Sequence, residues 1–414
     1  MTLKIVFFTD HFVPEVSAPA AHIFDRCKIW VEQGYDVTVI TNVPNYPLGV
    51  PYEGYTNRLR DWETIDGIKV LRVATYMAEN KGTIKRTLDY ISFAISSFIN
   101  SLVIDKPDVV YSTSPHIFAP LGAIAFSWIK RVPHVLEVRD LWPESIAATT
   151  GMSRSSIVYR SFELIERFLY NSSEKIVVFT ESFEKNLILR GVLEDKLHVV
   201  INGANIALFD APVYDEDLAM RLDLHNKFVI GYMGTHGLSH DLLNAVYAAS
   251  LVKDEDIFFL FVGEGAEKAA MVSLAKELNA TNIRFVGRQD REDIPKYWGI
   301  CDVGLVHLKN DPVFETVIPS KIFETMASGR PVMYCGPDSD GARLINKYDC
   351  GLAAKSDDPK ALASQLRLLK RDSELCNRLA TNGKKASPIF SREVQAEATL
   401  AVLQATSNMC KVGK

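Results

Sequence analysis

The 414-residue chain has no excess of positive charge: its acidic residues outnumber its basic ones, and its formal net charge is −5. Without a strong basic field, it is not expected to bind nucleic acid. Its six cysteines form no CxxC pair and no cysteine/histidine cluster at zinc spacing. Scattered cysteines of this kind are typical of a reducing compartment, so we expect a cytoplasmic protein.

The sequence also has no apolar run long enough to cross a membrane. Leu88–Ile104 comes nearest, but it contains Asp89, Asn100 and four serines and is shorter than the usual ~20 residues. We expect an amphipathic or buried helix there. The N-terminal stretch MTLKIVFFTDHF is expected to form a core strand rather than a signal peptide, because its apolar part is short and flanked by charges.

The length exceeds what one ordinary hydrophobic core accommodates, so we expect two domains. Apolar runs of strand length alternate with helical segments in both halves. The runs are KIVFFT, DVTVIT, DVVYST, HVLEVRD and KIVVFT, and then FVIGYM, FFLFVG, IRFVG, DVGLVHL and PVMYC. Strand–helix–strand connections of this kind predict two parallel, doubly wound α/β sheets.

The periodicity is lost over residues 199–217, where Asn-Gly, a proline and acidic residues accumulate. We therefore predict an N-terminal domain over residues 1–205 and a second domain over residues 206–390. Residues 391–414 are predicted as a helix that could cross back to the first domain. Sheets of this type bind ligands at the carboxyl ends of their strands, so we expect a cleft with one substrate on each side.

Glycines and a cation follow the strands of the second half. Gly234 and Thr235 follow FVIGYM, where a glycine lets the backbone approach an anion and a following helix would favour negative charge. Gly263 follows the next strand, but Lys268 stands where a dinucleotide fingerprint has its last glycine, which argues against a nicotinamide cofactor. Arg288 follows a third strand and is a candidate phosphate ligand. A plain turn and a solvated arginine are the alternatives.

The stretch IPSKIFETMASGRPV predicts a helix that begins near Pro319 and Ser320 and ends at Gly329. Lys321 lies in its first turn, where the helix dipole disfavours a cation unless an anion is also bound there. Glu324 lies one turn further along. The alternative interpretation of these two residues is an ordinary surface ion pair.

These motifs, together with FTDHFVPEVSAPAAHIFD, STSPHIFAPLGA, HVLEVRDLWPES and VINGAN, resemble the family-four glycosyltransferases. Within that family the chain looks like the bacterial L-fucosamine transferases of surface polysaccharide synthesis. The matching stretches run from residue 5 to about residue 336, and RDLWPES and PSKIFE are the specific ones. The resemblance implies the GT-B fold, two Rossmann-like doubly wound domains facing a central cleft. It also implies transfer of a sugar from a nucleotide donor with retention of anomeric configuration.

The family usually carries two glutamates in an E-x7-E pattern. Glu324 matches the second, which is implied to bind the donor ribose. Thr316 stands at the position of the first and Glu315 one residue earlier, so a contact of Glu315 with the donor sugar is implied less firmly. The resemblance also implies that the backbone at Ser320 and Lys321 meets the diphosphate.

The resemblance assigns the acceptor to the first half. Ser17 and Ala18 stand where many relatives have two glycines, and Arg139 stands where relatives often have a histidine that orients the donor. Asp140 and His116 follow strands at the rim and are candidate catalytic groups. A structural cap at Asp140 and a structural histidine at 116 are the alternatives.

The family usually has a lysine after the Gly-Thr loop, and here Ser239-His240-Asp241 occupies that place. DED at 254–256 and DSD at 338–340 look like metal-binding DxD motifs, but they lie in polar stretches typical of solvated surface. We therefore expect no metal ion and no cofactor, because cations and helix N-termini can neutralise a leaving diphosphate.

The partners implied by the resemblance are a UDP-linked N-acetylated sugar and a polyprenyl-diphosphate-linked saccharide. Such an acceptor requires peripheral contact with the cytoplasmic membrane, for which Lys81, Lys85 and Arg86 beside an apolar stretch are candidates. Two other functions stay open. One is a nucleotide-sugar 2-epimerase of the same architecture, and the other is a non-catalytic nucleotide-sugar-binding subunit, which the altered glutamate spacing permits.

Overall fold

A computed structural model describes residues 2–79, 83–114, 116–150, 152–210 and 212–412. The contacts divide the chain into two compact units, one of residues 1–201 and 392–414 and the other of residues 202–391. Each unit contains one sheet with helices around it. The fold class expected from the sequence, two Rossmann-like α/β domains, is confirmed.

The first unit is built on an eight-stranded sheet with the order β3-β4-β2-β1-β5-β6-β7-β8. All neighbouring strands are parallel except β3 and β4. The strands are β1 Lys4–Phe8, β2 Asp36–Asn42, β3 Arg60–Ile65, β4 Ile68–Val73, β5 Val109–Ser114, β6 His134–Val138, β7 Lys175–Val178 and β8 Leu197–Val199. The helices that connect them are α1 Ala18–Glu32, α2 Thr83–Ser101, α3 Ala119–Lys130, α4 Glu144–Thr150, α5 Ile157–Ser172 and α6 Glu181–Leu189, with a 3-10 turn at Glu194–Lys196.

The antiparallel pair β3–β4 is absent from the sequence-based prediction. Its register pairs Ile65 with Ile68 across a two-residue turn. Asp66 and Gly67 in that turn both have positive φ angles, 47° and 81°. This is the geometry that an Asp-Gly hairpin turn requires, so the dipeptide was the signal for it.

The second unit is built on a six-stranded parallel sheet with the order β11-β10-β9-β12-β13-β14. The strands are β9 Phe228–Met233, β10 Ile257–Val262, β11 Ile283–Val286, β12 Val303–His307, β13 Val332–Cys335 and β14 Gly351–Ala354. The helices are α7 Ile206–Phe209, α8 Glu216–Arg221, α9 Leu242–Leu251, α10 Lys268–Glu277, α11 Ile294–Gly299, α12 Ser320–Ala327, α13 Asp340–Lys347, α14 Pro359–Arg371 and α15 Ser373–Ala386. Two 3-10 turns lie at Pro312–Phe314 and Ser387–Phe390.

The last helix, α16 (Arg392–Val412), belongs to the first unit although it follows the second in sequence. Ala396 and Leu403 on this helix are completely buried in the core of the first unit. The indole N–H of Trp30 on α1 donates to the Ala396 carbonyl at 2.9 Å. The helix therefore completes the packing around α1.

Across the described ranges, no helix combines the length and the apolar character that crossing a membrane requires. The stretch that comes nearest in sequence, residues 88–104, lies mostly in α2.

Candidate functional site

In the second unit, the loops that follow β9 and β10 touch each other backbone to backbone. Gly234 and Gly263 have φ angles of 132° and 145°, a region that favours glycine. A Cβ atom on Gly263 would lie 1.9 Å from the carbonyl oxygen of Gly234. The Gly234 N–H donates to the Val262 carbonyl at 2.9 Å. The structure thus brings two of the predicted donor-binding residues together in one tightly packed pair of loops.

The helix expected after Gly234 is present, but it does not begin directly after the glycine loop. Residues 238–240 form a turn, and α9 begins only at Leu242. Asp241 precedes it in the left-handed conformation and makes no side-chain capping bond. The Leu242 N–H donates to the Glu267 carboxylate at 3.3 Å. Because the helix dipole acts within its first turn, an anion at Gly234 gains little from α9.

Positive charge reaches the glycine loop from Lys321 on α12. Its side chain crosses Gly234 so closely that a Cβ atom there would lie 2.8 Å from Lys321 Cε and 3.0 Å from Nζ. The ammonium lies 5.2 Å from the centroid of the Tyr232 ring, and the Tyr232 hydroxyl donates to the Thr235 carbonyl at 2.8 Å. Burial lowers the pKa of Lys321, and Glu324 partly offsets this. An anion bound at the loop would stabilise this desolvated ammonium.

Lys321 is the second residue of α12, so the N-terminus of this helix lies next to it in the chain. Pro319 is the N-cap, one residue before the helical position expected for it, and it provides no side-chain capping bond. Ser320 is the first helical residue and is half-buried. The first N–H groups of a helix have no partner within the helix. This end therefore offers backbone donors and a cation together, the combination that suits a phosphate.

The two predicted glutamates lie in different surroundings. Glu324 is half-buried on α12, one turn after Lys321. Glu315 follows the 3-10 turn at Pro312–Phe314, its side chain is exposed, and its carbonyl accepts from the Asp340 N–H at 2.9 Å. Thr316 is half-buried. The contact of Glu315 with a donor sugar stays a prediction.

Arg288 lies just beyond β11, at the edge of the second sheet and two strands away from β9. Its side chain is exposed, and its carbonyl accepts from the Gln289 side chain at 3.0 Å. Its role as a diphosphate ligand stays a prediction.

In the first unit, a cavity of about 240 Å³ lies at the carboxyl ends of β1, β2 and β5. Asp10, Asn42 and His116, which follow or end these strands, line it together with Asp89 and Tyr90 of α2. Asp10 and Asn42 are 5% and 7% exposed, and Oδ1 of each has no hydrogen-bond partner within the described part of the chain. A buried oxygen of this kind is costly unless a ligand or water donates to it. The cavity is therefore a candidate polar binding site.

His116 lines this cavity, but it is buried rather than exposed at a rim. Its Nδ1 accepts from the Ala119 N–H at 3.2 Å, which puts the proton on Nε2. Nε2 lies 2.9 Å from Asp10 Oδ2. The ring stacks on Tyr90 with centroids 3.8 Å apart. This geometry fixes the orientation of Asp10, and the predicted catalytic role of His116 is not required to explain its position.

Asp10, His11 and Glu15 form a chain of charges at the same cavity, which the sequence-based reasoning missed. His11 Nδ1 lies 2.7 Å from Glu15 and its Nε2 lies 3.7 Å from Asp10. Burial would raise the pKa of Asp10, but His11 and His116 together lower it below its usual range. Burial would lower the pKa of His11, but Asp10 and Glu15 raise it to about 9. Burial and the charge of Asp10 raise the pKa of Asp89 to about 7.

Two of the predicted acceptor-side residues start α1. The Ser17 hydroxyl caps this helix by accepting from the Ala20 N–H at 3.3 Å, and Ser17 also lines the cavity. Ala18 is the first residue of α1, and its side chain lies outside the described residues.

Arg139 directly follows β6 and is held against the protein. Its guanidinium donates to Glu137 at 3.0 Å and lies 5.1 Å from the centroid of the Phe179 ring. Asp140, the next residue, is exposed in the loop before α4. The predicted catalytic role of Asp140 stays a prediction.

Comparison with known proteins gives the class. The family model described as "Glycosyl transferase 4-like domain" matches residues 18–203, and that described as "Glycosyl transferases group 1" matches residues 216–386. The structure of Anabaena Alr3699/HepE in complex with UDP and glucose has a TM-score of 0.69 at 15% identity, covering 97% of this chain and 100% of that one. The chain is a glycosyltransferase with the GT-B fold. Its N-terminal part contains a glycosyl transferase 4-like domain and its C-terminal part a glycosyl transferases group 1 domain.

Two relatives are similar over most of the chain. The putative colanic acid biosynthesis glycosyl transferase WcaI of Escherichia coli K12 is 26% identical and covers 79% of this chain and 82% of its own length. The N,N'-diacetylbacillosaminyl-diphospho-undecaprenol alpha-1,3-N-acetylgalactosaminyltransferase of Campylobacter jejuni is 24% identical. The similarity covers 84% of this chain and 88% of that protein.

Proposed function

We propose that this glycosyltransferase moves an N-acetylated sugar from a UDP-linked donor, with retention of anomeric configuration, to a saccharide carried on a polyprenyl diphosphate. The product is a precursor of a bacterial surface polysaccharide such as O-antigen or capsule. One observation carries the proposal: Lys321 crosses Gly234 beside the uncapped N-terminus of α12. This arrangement offers a desolvated cation and backbone donors to a diphosphate.

The names of the compared proteins support the donor, the acceptor and the product in this proposal. HepE, which shares the fold, binds UDP. The name of the Campylobacter enzyme states an N-acetylgalactosaminyl group and a diphospho-undecaprenol carrier. The name of WcaI states colanic acid biosynthesis. A sugar nucleotide, a lipid-linked acceptor and a surface polysaccharide are therefore the chemistry we propose for this chain.

In the proposed reaction, the bond between the anomeric carbon and the β-phosphate oxygen breaks while the acceptor oxygen bonds to the same face of the sugar. The hydroxyl proton passes to the departing diphosphate, which lies on that face. Lys321, Arg288 and the N–H groups of Ser320 and Lys321 stabilise the charge that develops on the diphosphate. Glu324 binds the ribose and Glu315 contacts the donor sugar. No step requires a metal ion.

We assign the acceptor saccharide to the cavity of the first unit. Asp10 remains ionised, and its Oδ1 has no hydrogen-bond partner within the described residues. The same is true of the Asn42 Oδ1 atom, so each of the two oxygens can accept a hydrogen bond from a sugar hydroxyl. His116 positions Asp10 through the 2.9 Å contact. Asp140 remains the candidate that anchors a hydroxyl or accepts a proton.

We further propose that α2 lies on the inner surface of the cytoplasmic membrane. One stripe of this helix is apolar and exposed, with Leu88 at 49%, Ile95 at 55% and Ile99 at 52%, whereas Phe93 on the other side is buried. Lys85 and Arg86 are exposed at its start, and Lys81 lies outside the described residues. Cations beside an exposed apolar stripe are typical of an interfacial helix. Each such cation contributes on the order of 1 kcal/mol near an anionic leaflet.

The test is incubation with labelled UDP-N-acetylglucosamine or UDP-N-acetylgalactosamine, with and without polyprenyl-diphosphate saccharides extracted from bacterial membranes. We expect label in the lipid fraction only when acceptor is present, and an NMR coupling constant that shows the anomeric configuration of the donor. An epimerised donor without transfer would identify a 2-epimerase instead, and binding without either change would identify a non-catalytic subunit.

Measuring the same transfer with Lys321→Met tests whether Lys321 binds the diphosphate. A charge-assisted hydrogen bond is worth about 1.5–3 kcal/mol, so kcat/KM should fall about 10- to 150-fold. Lys276→Met, which changes an exposed lysine on α10, should retain the wild-type rate. Equal rates for both variants would reject the diphosphate site at Lys321.

A further inference from the structure

His240 and Lys321 both lie against the ring of Tyr232, near the end of β9. The His240 ring meets the Tyr232 ring edge-on with centroids 6.0 Å apart. The Lys321 ammonium lies 5.2 Å from the centroid of the same ring. The imidazole and the ammonium therefore flank the tyrosine beside the glycine loop that begins at Gly234.

The loop fixes the position of His240. Its backbone N–H donates to the Gly237 carbonyl at 2.9 Å, and its own carbonyl accepts from His307 Nδ1 at 2.7 Å. Its Nδ1 lies 3.3 Å from the Ser239 hydroxyl. The side chain is half-buried, and no hydrogen-bond partner of its Nε2 is found in the described ranges. One ring nitrogen is thus held by the loop while the other remains available.

The groups around His240 oppose its protonation. Burial is the largest cause, and Lys321 adds to it, so the pKa of His240 falls to about 4. His307 and His236 act in the same direction, while the Gly237 carbonyl, which favours the protonated imidazole, partly offsets them. Both of these histidines have pKa values lowered to about 4 by burial.

Two carboxylates beside the start of α9 bind other groups. Asp241 accepts from the Asn244 side chain at 2.7 Å, and Glu267 accepts from the Leu242 N–H at 3.3 Å. Lys309 approaches the turn through its backbone N–H, which donates to the Ser239 carbonyl at 2.9 Å. No carboxylate of the described residues is among the groups that set the pKa of His240, and Glu324 acts on Lys321, whose pKa it raises.

We propose that His240 supplies a further cation to the diphosphate site beside Lys321 and that it takes up a proton from solvent when the nucleotide sugar binds. This inference rests on the proposed function, because a diphosphate is the anion that arrives at the loop. Two negative charges beside Lys321 replace repulsion by attraction, so the protonated imidazole becomes favourable. Its Nε2–H then donates to a phosphate oxygen, and no covalent bond changes.

Proton uptake fixes the sign of the pH dependence. The bound state holds one more proton than the free state at every pH between the free and the bound pKa of His240. Donor affinity must therefore fall as pH rises through that interval, by about tenfold per pH unit. Above the bound-state pKa the affinity becomes constant. A permanent cation at the same position would remove this dependence.

The experiment is titration calorimetry at pH 7 in buffers with different ionisation enthalpies. The probes are UDP-N-acetylglucosamine, UDP-N-acetylgalactosamine, UDP-glucose and GDP-mannose, whose diphosphates are esterified at both ends and do not titrate near pH 7. For the wild type we expect uptake approaching one proton. His240→Lys should bind without uptake and with a flat pH profile, and His240→Gln should bind about tenfold or more weakly without uptake.

His225→Gln is the matched control, because His225 precedes β9 at the opposite end of that strand from Gly234. It should retain wild-type affinity and proton uptake. Donor binding without proton uptake would overturn this proposal and leave the proposed function intact. Uptake that persists in His240→Lys would also overturn it, because another group would then accept the proton. If no nucleotide sugar binds the wild type, both proposals fall.

Discussion

Arg26 of α1 and Glu137 of β6 form a salt bridge inside the first unit, where their side chains are 1% and 0% exposed. The Tyr111 hydroxyl accepts from Arg26 at 2.8 Å and is also bonded to Glu137. Burial would raise the pKa of Glu137, but Arg26 and Arg139 lower it to about 2. The pair is therefore ionised at neutral pH, and it joins α1 to the sheet.

Arg26→Met should destabilise the first unit, because it leaves the charge of Glu137 buried without its principal partner. The expected loss in free energy of unfolding is about 3–5 kcal/mol. Calorimetric unfolding measures it, and adding Glu137→Leu to the same protein should recover part of the loss. Lys28→Met, which removes an exposed partner of Asp66, is the control and should have no measurable effect. Equal stability of the two single variants would contradict the prediction.

Gly263→Ala should distort the pair of loops at the diphosphate site. The new methyl would lie 1.9 Å from the Gly234 carbonyl, and the φ angle of 145° is unfavourable for alanine. The backbone strain alone costs about 1–3 kcal/mol. We expect a lower unfolding temperature and loss of nucleotide-sugar binding. Gly237→Ala, where the nearest atom would be 3.5 Å away, should fold normally.

Glu324→Ala should weaken donor binding while leaving the fold intact, because we assign its carboxylate to the ribose. Binding is measured by titration calorimetry, and unfolding temperature shows that the variant is folded. Unchanged donor affinity in the folded variant would remove this assignment.

Glu315→Gln and Thr316→Ala distinguish the two candidates for the first glutamate of the family pattern. Glu315 is exposed and Thr316 is half-buried. If Glu315 contacts the donor sugar, turnover at saturating donor should fall at least about tenfold in Glu315→Gln alone. Wild-type turnover in both variants would mean that this chain does not use a first glutamate.

Transfer should survive chelation of divalent metals. Among the described residues, no group of three or more His, Cys, Asp or Glu side chains could hold a metal ion. In the proposed mechanism, the cations at the diphosphate supply the charge that a metal would provide. Activity is compared with and without EDTA, and a loss that magnesium or manganese restores would show that a metal takes part.

The protein should float with liposomes that contain anionic lipid. Changing Lys81, Lys85 and Arg86 together to Glu should abolish flotation, because it reverses the charge beside the apolar stripe of α2. Lys276→Glu with Lys360→Glu is a control that reverses exposed charges in the second unit. Absence of flotation for the wild type, or equal flotation for all forms, would reject α2 as the membrane contact.

Most strands could be predicted because fully buried parallel strands are continuous apolar runs. FVIGYM, at Phe228–Met233, is a strand over its whole length. The hairpin of β3 and β4 was missed because many of its side chains are exposed and its sequence, RDWETIDGIKVLRV, begins with charged residues. The Asp-Gly dipeptide predicts the hairpin turn, but only if it is given more weight than the hydrophobic pattern of the flanking residues.

At the candidate site, position after a strand identified Gly234 and Gly263, and position in the first turn of a helix identified Lys321. The sequence could not show that the Lys321 side chain crosses Gly234, because that contact joins residues far apart in the chain. The sequence likewise could not show that Asp10 belongs to a candidate site, because its 2.9 Å contact with His116 also joins residues far apart in the chain. The helix expected after the glycine loop is present as α9, but the sequence did not show that a turn at residues 238–240 separates the two.

The return of α16 makes the first unit discontinuous in sequence, and this sets the order in which the units can fold on the ribosome. Residues 202–391 contain all of the second unit, so it can complete its core as soon as it has emerged. A chain released at residue 201 would leave the Trp30 indole without its acceptor and the surface beneath Leu403 open to water. The N-terminal half of this enzyme thus finishes folding last, and a truncation near its C-terminus should damage the part of the protein that was synthesised first.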